Sequence, residues 1–355
     1  MGIKKRTTKG LVSLATSLLL VGTLVAGESS EIEHKVLTLE YAIESAMGLE
    51  DKVGVLQQQI EAYDEQLDLI DDYSSMLYYS TKYAQDSVVQ EKDLLEDKVA
   101  YNVIVLYNAI NLMQKQIELN EIEIAIAEKE LKQAEVKMKH NRLSELNLNE
   151  VEVALQKKQA EYKKNQLHLS DYQNQFYNLT HIYIDTYDDI EEQLNYESLD
   201  YSAGTNGLIA SNVNYYLENT ESYIAYQKEN IIDYTQYKYG INTGIPINLL
   251  KSAEAEVAQS SYNTQQQKKQ MIESLQSCVT ELEKLQETIV IQQKEIEVQK
   301  NNLIMTQIRY ENGYASQLEL QKAEQMLTQL ELAHIQNIYT YQQQKMILEK
   351  PWVRY

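Results

Sequence analysis

The sequence has few of the residues that end helices or fill a compact core. Its 355 residues include 11 glycines, 2 prolines and a single phenylalanine. Proline and glycine are the residues that interrupt a helix most strongly, so their scarcity predicts long, uninterrupted helices. A charged content of 24% also fits elongated helices better than a thick globular core. We therefore expect an elongated, all-α molecule.

Other scarcities bear on function. The single cysteine, Cys278, cannot form a disulfide within the chain. The net charge of −21 argues against nucleic acid as a partner, because phosphate contacts need clustered lysine and arginine. The 5 histidines are scattered without the spacing of metal ligands, and the paired carboxylates have no partner base or glycine-rich turn beside them. The sequence thus predicts no enzyme activity, no metal and no cofactor.

The N-terminal residues have the pattern of a signal peptide. A basic segment from Lys4 to Lys9 precedes an apolar stretch from Leu11 to Ala26, with a plausible cleavage after Gly27. As a helix this stretch would span about 24 Å, short of the roughly 30 Å core of a bilayer. We therefore expect cleavage, with an uncleaved anchor as the alternative. No later segment is apolar enough to span a membrane as a helix. The signal-peptide pattern predicts an exported, envelope-associated protein.

Two stretches of the chain correspond to each other. Residues 137–148 align without gaps with residues 309–320. Asn141 aligns with Gly313, and asparagine and glycine are the residues that most readily adopt the left-handed conformation that closes a helix. Ser144 and Ser316 follow at the position where a hydroxyl can cap the next helix. Each repeat therefore predicts a sharp turn between two helices.

The helix that enters each turn carries a heptad pattern. Its a and d positions run from Val103 to Met138 in the first repeat and from Leu275 to Tyr310 in the second. The heptad period resumes beyond each turn and predicts an antiparallel coiled-coil hairpin per repeat. A weaker second stripe in the first repeat predicts a helix with neighbours on two sides. That stripe consists of Leu112, Leu119, Ile122 and Ile126.

The chain divides into five predicted segments. They are a signal peptide (1–27), a first helical repeat (28–185), an acidic linker (186–206), a second helical repeat (207–348) and a C-terminal tail (349–355). Residues 63–101 contain no glycine or proline and are predicted to be helical throughout. Only residues 237–247 have strand character, enough for one or two short extended segments.

Three segments resemble the TolC-type outer-membrane efflux proteins. Residues 309–324, RYENGYASQLELQKAE, resemble the family pattern R-Y-x-x-G-x-x-S-x-x-D/E-x-L-x-A-E, with Leu320 one place ahead of the usual leucine. Residues 37–43, LTLEYAI, are similar to the family's opening L-T-L-E-E-A-I, and residues 244–247 are similar to the segment that leads into its second long helix. The resemblance covers most of residues 37–348.

The resemblance implies a homotrimer whose helices form a tapering tunnel. In such a tunnel the hairpin turns would bind a membrane-fusion-type adaptor protein that connects to an inner transporter. The first turn departs from the family pattern, with Asn141 in place of glycine and Asn147 in place of the acidic residue. The candidate partner-binding residues carried over from the family are Asn141, Arg142, Leu143, Ser144, Leu146, Gly313, Tyr314, Ala315, Ser316 and Leu318.

The other end of the molecule departs further from the family. Family members insert two transmembrane strands per repeat, and each strand needs about nine to eleven residues of alternating hydrophobicity. Too few such segments are present here. The expected fold is therefore a TolC-like helical barrel without a complete transmembrane β-barrel, which suits a cell with a single membrane. The expected function is an export accessory that forms part of a duct; the alternative is a coiled-coil spacer of the cell envelope.

The 28 tyrosines are unusual beside one phenylalanine. They form clusters that lend themselves to two interpretations. The clusters could bind sugar or peptide, because tyrosine is amphipathic and enriched at interfaces. Alternatively, tyrosine replaces phenylalanine in helix seams and keeps its hydroxyl at a wet surface. Two such clusters are Tyr73, Tyr78, Tyr79 and Tyr83, and Tyr215, Tyr216, Tyr223 and Tyr226.

Overall fold

The computed structural model describes residues 35–71, 76–198, 204–238 and 247–354. The predicted signal peptide lies outside these residues. Residues 239–246, most of the segment that we predicted to be extended, also lie outside them, and its described ends are helical. In the first repeat, residues 63–101 are helical as predicted in the described part, apart from a break at residues 69–71.

Helices make up most of the described residues. Two short strands and two 3₁₀ turns, Ile184–Thr186 and Pro351–Val353, accompany them. The strands are β1 (Val36–Leu37) and β2 (Asp189–Ile190). The helices are α1 (Leu39–Leu49), α2 (Asp51–Asp68), α3 (Met76–Lys139), α4 (Glu145–Thr180), α5 (Thr205–Lys238), α6 (Ile247–Glu311) and α7 (Gln317–Glu349).

Two long hairpins dominate the fold. Helix α3 has 64 residues and α6 has 65, so each is roughly 95 Å long. Helix α3 packs against α4, and α6 packs against α7. The predicted seams are confirmed: Val103 and Ile110 are buried in the first hairpin, and Leu282 and Ile289 in the second. The all-α hairpin architecture is therefore the one that the heptads indicate.

Each seam contains one pair of amide side chains at an equivalent level. The Nδ2 of Asn165 donates to the Oδ1 of Asn120 over 2.8 Å, and the Nδ2 of Asn337 donates to the Oε1 of Gln292 over 2.9 Å. The two pairs occupy matching positions of the two repeats, in the same alignment that relates the turns. A polar pair inside an apolar seam fixes the register, because a slip would leave its groups without partners.

The two hairpins lie side by side. Helix α3 packs against α7 as well as against α4, so the main packing runs in the order α4–α3–α7–α6. The predicted second stripe of α3 is confirmed on this side, where Leu119 and Ile126 are buried. Leu112 packs against the core of the second hairpin. Helices α4 and α6 therefore stand at the two ends of the row.

Further elements pack against the end of the row opposite the turns. The first core joins α1, α3, α4 and the strands around Leu37, Val103 and Phe176. The second joins α5, α6 and α7 to the final 3₁₀ turn. That turn is anchored on α3, because Asp97 accepts bonds from Lys350 Nζ at 2.5 Å and from Trp352 Nε1 at 2.8 Å. Within the predicted C-terminal tail, Pro351, Trp352 and Val353 are thus buried against the helices.

The segment predicted as an acidic linker lies across the helices. Strand β2 pairs in parallel with β1, with Leu37 opposite Ile190. The Tyr107 hydroxyl lies 2.7 Å from the carbonyl oxygen of Leu37 and 2.9 Å from that of Glu191. Further along, Gln342 Nε2 donates to the Gln193 carbonyl over 2.8 Å. The segment is therefore attached to both hairpins as far as it is described.

We predict that Tyr107→Phe lowers the free energy of unfolding by about 1–2 kcal/mol, because a buried hydroxyl that serves two carbonyls is lost. Urea unfolding followed by circular dichroism measures the change. Tyr262→Phe is the matched control, since Tyr262 is exposed. Equal losses in the two variants would contradict a role for the Tyr107 hydroxyl in holding β1 and β2.

Candidate functional site

The first hairpin turn closes α3 with a left-handed residue. Asn141 has φ 55°. The N–H groups of Asn141 and Arg142 donate to the carbonyls of Met138 and Lys137, both over 2.8 Å. This pattern is a helix C-terminal motif in which the reversal satisfies carbonyls that the helix leaves open. Asparagine serves here because its short polar side chain tolerates positive φ.

The second turn repeats this geometry at the aligned positions. Gly313 has φ 74°. The N–H groups of Gly313 and Tyr314 donate to the carbonyls of Tyr310 and Arg309 over 2.9 and 2.7 Å. The two turns therefore have the same backbone design, although one uses asparagine and the other glycine.

The helices that leave the turns begin differently. The Ser144 hydroxyl accepts the Asn147 N–H over 3.2 Å. Ser316 accepts the Glu319 N–H over 3.2 Å, and Glu319 accepts the Ser316 N–H over 2.6 Å, which completes a capping box. The donated Ser316 N–H, helped by the Ser316 hydroxyl, lowers the pKa of Glu319. Asn147 carries no charge, so of the two turns only the second has this charge-assisted hydrogen bond.

Contacts between α3 and α7 place the two turns at the same end of the molecule. Lys129 Nζ donates to Gln321 Oε1 over 2.5 Å, and Lys322 Nζ lies 2.5 Å from Glu130. These contacts lie within about three helical turns of the end of α3 and the start of α7. Both hairpins therefore present their turns in the same direction.

A buried carboxylate on α3 makes further contacts with α7, farther from the turns. Glu123 is 8% exposed. It accepts bonds from Lys158 Nζ at 2.7 Å, Gln325 Nε2 at 3.1 Å and Gln329 Nε2 at 3.0 Å. The carboxylate thus joins α3, α4 and α7. We call Glu123, Lys129 and Glu130, together with Gln321, Lys322, Gln325 and Gln329, the α3–α7 junction.

The sequence pattern does not reveal the α3–α7 junction. Glu123 sits in a helix rich in charged residues, where such a side chain is expected to be solvated. Its burial depends on α7, which lies far away in the chain.

The turns expose apolar side chains. Tyr314 is 78% exposed and Leu146 is 68% exposed, while Leu143, Ala315 and Leu318 are partly buried. All ten candidate partner-binding residues lie in the two turns or in the first helical residues after them. Clustered apolar side chains that are exposed to solvent are a feature of interaction sites. Their binding of a partner remains a prediction.

Helix α4 carries an apolar stripe that no helix of the row covers. Leu146, Val153 and Leu167 are exposed and follow a heptad spacing, with exposed Ala160 between the last two. Each stripe residue precedes a seam position, such as Leu155 or Leu169, by two residues. Two residues correspond to a rotation of about 200° around the helix axis. The stripe therefore faces away from α3.

Helix α6 carries a matching stripe at the other end of the row. Ile291 is 56% exposed, and Val298 and Met305 are each 60% exposed. Each follows a seam residue, Ile289, Ile296 or Leu303, by two places, so they also point away from their partner helix. The heptad spacing of both stripes is visible in the sequence, but nothing in the sequence marks them as uncovered. The row thus ends in an uncovered heptad stripe on each side.

The second repeat matches a known protein family. Residues 198–351 match the family model described as outer membrane efflux protein. We call the matched residues the efflux-protein domain. The match confirms the predicted resemblance over this region, which comprises α5, α6 and α7. No curated protein matches the chain by sequence.

Solved structures with the same fold cover most of the chain. The chain is similar to CusC at 14% identity and a TM-score of 0.60, over 89% of this chain and 95% of that one. It is similar to the outer membrane protein VceC of Vibrio cholerae at 12% identity and a TM-score of 0.58, over 89% and 95%. The CmeC outer membrane channel of Campylobacter jejuni matches at 12% identity and a TM-score of 0.59, over 88% and 85%. These likenesses confirm the TolC-like helical fold.

Among the helices of the described residues, none is both long and apolar enough to cross a bilayer.

We predict that the carboxylate of Glu319 titrates below the ordinary glutamate range of about 4.3, because the Ser316 N–H stabilises its charged form. A depressed pKa adds stability that is present above the ordinary value and is lost as the pH falls through the folded value. The start of α7 should therefore remain capped at pH 5 and loosen only in stronger acid. NMR of the glutamate carboxyl carbons measures the titration.

Ser316→Ala is the control for this titration. It removes the hydroxyl that bonds Glu319 but keeps the main-chain N–H, so the midpoint should move only part of the way toward about 4.3. A Glu319 midpoint that is ordinary in the unmodified chain, or that does not respond to Ser316→Ala, would contradict the capping interpretation.

Proposed function

We propose that this chain is a subunit of an efflux duct in the cell envelope, assembled from three copies around a common axis. The observation that carries the proposal is the pair of uncovered heptad stripes at the two ends of the helix row. A heptad stripe with an apolar side chain in every heptad is complementary to another such stripe. The efflux-protein domain and the likeness to CmeC, an outer membrane channel, support a duct as the product of assembly.

The position of the stripes favours a closed ring. One stripe lies on α4 and the other on α6, so each copy offers two different surfaces. Pairing of α4 in one copy with α6 in the next is a head-to-tail contact, which forms a ring when its rotation closes. A ring would leave no stripe uncovered. An isolated spacer would leave both exposed to water.

The ring would bring the turns of every copy to one mouth. The α3–α7 junction directs both turns of a chain to the same end, where Leu146 and Tyr314 are uncovered. We propose that a membrane-fusion-type adaptor docks on this mouth and connects the duct to an inner transporter. Such a subunit conducts a compound without changing its covalent bonds, so no catalytic residues are assigned.

We predict that acidic substitutions on either stripe prevent assembly. Val298→Asp with Met305→Asp blocks the α6 surface, and Val153→Asp with Leu167→Asp blocks the α4 surface. An unpaired buried carboxylate costs roughly 2 kcal/mol or more, so each contact should weaken by more than about tenfold. Light scattering on the chain from residue 28 onward should give three chain masses for the unmodified protein and one for each variant.

A mixture of the two double variants is the decisive control. The α4 variant retains α6 and the α6 variant retains α4, so together they should form a heterodimer and nothing larger. Val55→Asp, at an exposed apolar position on α2, should leave assembly unchanged. Self-association of either double variant would indicate a symmetric contact and contradict the ring.

We predict that a photoreactive phenylalanine analogue at Tyr314 captures an adaptor in the cells that make this protein. The same analogue at Val55, which is exposed but distant from the turns in the chain, is the control. Mass spectrometry of the cross-linked product identifies the partner. Capture of the same proteins at both positions would contradict docking through the turns.

A second measurement tests transport itself and does not require the cargo to be identified first. Cells that lack the chain and cells that carry Leu318→Asp should retain the same compounds, as detected by mass spectrometry of cell extracts. Cells that carry Val55→Asp should match the unmodified strain. Extracts that do not differ between cells with and without the chain would contradict efflux and favour the envelope spacer.

A further inference from the structure

Helices α3 and α5 meet through two stacked pairs of tyrosine rings. The centroids of Tyr83 and Tyr223 are 4.0 Å apart with an interplanar angle of 11°, and those of Tyr79 and Tyr226 are 4.5 Å apart with an angle of 30°. Tyr79 also has an edge-to-face contact with Tyr78, with the ring centroids 5.7 Å apart. Tyr79 is still 44% exposed. Two members of each tyrosine cluster noted in the sequence thus form an aromatic surface across two helices.

A cleft opens beside these rings. It encloses about 260 Å³ and adds polar groups to the tyrosines, among them Asp86, Asn219 and Ser222. Asn219 Nδ2 donates to the Asp86 carbonyl over 2.9 Å, which fixes the orientation of the amide. We call this site the tyrosine cleft. It combines aromatic faces with both hydrogen-bond donors and acceptors.

The surface continues along α5. A second cleft of about 600 Å³ lies on the side of α5 toward α6 and is lined by Ser211, Asn214 and Tyr215. It shares Glu218 and Ser222 with the tyrosine cleft. Two adjoining clefts on one helix suit an elongated ligand better than a compact one.

The charges in the two clefts exclude anionic polymers. Lys82 lies 2.7 Å from Asp86, and Lys268 lies 2.8 Å from Glu221. Both lysines of the lining are therefore engaged by carboxylates, while Glu218 adds negative charge. A phosphate or carboxylate polymer needs cations that are available to it. An anionic ligand is therefore disfavoured.

We propose that the tyrosine cleft and its continuation along α5 bind a neutral glycan chain. The C–H faces of sugar rings pack against tyrosine faces, and sugar hydroxyls both donate and accept hydrogen bonds, as the lining groups require. A peptide that binds by adding a strand would need a free strand edge, and none occurs in the described lining of these clefts. The site contains no residue of the turns or stripes, so absence of glycan binding would leave the proposed duct unaffected.

Calorimetry on the chain from residue 28 onward tests this site, with chitohexaose and maltohexaose as probes. At least one of these neutral hexasaccharides should bind saturably. The combination of Tyr79→Ala with Tyr226→Ala should lower its affinity by at least about tenfold, the effect of truncating aromatic anchors. Tyr262→Ala, at an exposed tyrosine of α6 outside the clefts, should leave the affinity unchanged.

Ser222→Trp provides a test that keeps both stacked pairs. Ser222 is exposed and belongs to both clefts, so a tryptophan there should abolish binding even if the double alanine variant does not fold. Binding that survives Ser222→Trp would overturn the proposal, as would failure of both sugars to bind at millimolar concentration. Binding of tetralysine but of neither sugar would also overturn it, in favour of a cationic peptide.

Discussion

The α3–α7 junction turns two separate hairpins into one unit. Each hairpin has its own apolar seam, so seam packing alone leaves the position of one hairpin against the other undefined. A buried carboxylate is costly unless it is paired, and Glu123 is bonded by Lys158 of its own hairpin and by Gln325 and Gln329 of the other. The resulting arrangement sets the direction of the turns and leaves α4 and α6 at the outer ends. The proposed mouth and the proposed ring contacts both depend on it.

The two repeats share the same turn, cap and seam features, with one difference that bears on function. The left-handed closing residue, the serine cap and the amide pair in the seam all recur at aligned positions of the two repeats. Only the second turn has a glutamate to complete its cap, where the first has Asn147. The start of α7 is therefore held more firmly than the start of α4. A docked partner would meet one firmly capped turn and one with a weaker cap.

Local signals made part of this structure predictable. The long helices follow from the scarcity of glycine and proline, and the turns follow from Asn141, Gly313 and the serines behind them. The seams follow from the heptads. These features depend on residues close together in the sequence, where backbone preference and periodicity decide the outcome.

The remaining features depend on partners that are distant in the chain. Asp97 accepts a hydrogen bond from Trp352 near the C-terminal end. The acidic segment is held through its main-chain carbonyls, such as that of Gln193, and amino-acid composition gives no sign of these bonds. The tyrosine clusters were visible, but the pairing of Tyr83 with Tyr223 requires the packing of α5 on α3. The stripes on α4 and α6 had a readable spacing, yet only the order of the row shows that they are uncovered. Long-range packing therefore determines the proposed assembly surfaces.

Electron cryo-microscopy of the purified chain from residue 28 onward distinguishes the proposed ring from an isolated subunit. We expect hollow, three-fold symmetric particles in end view, with α4 of each copy against α6 of the next and all turns at one mouth. Particles that contain a single copy at every concentration, with α4 and α6 both facing solvent, would contradict the proposed ring.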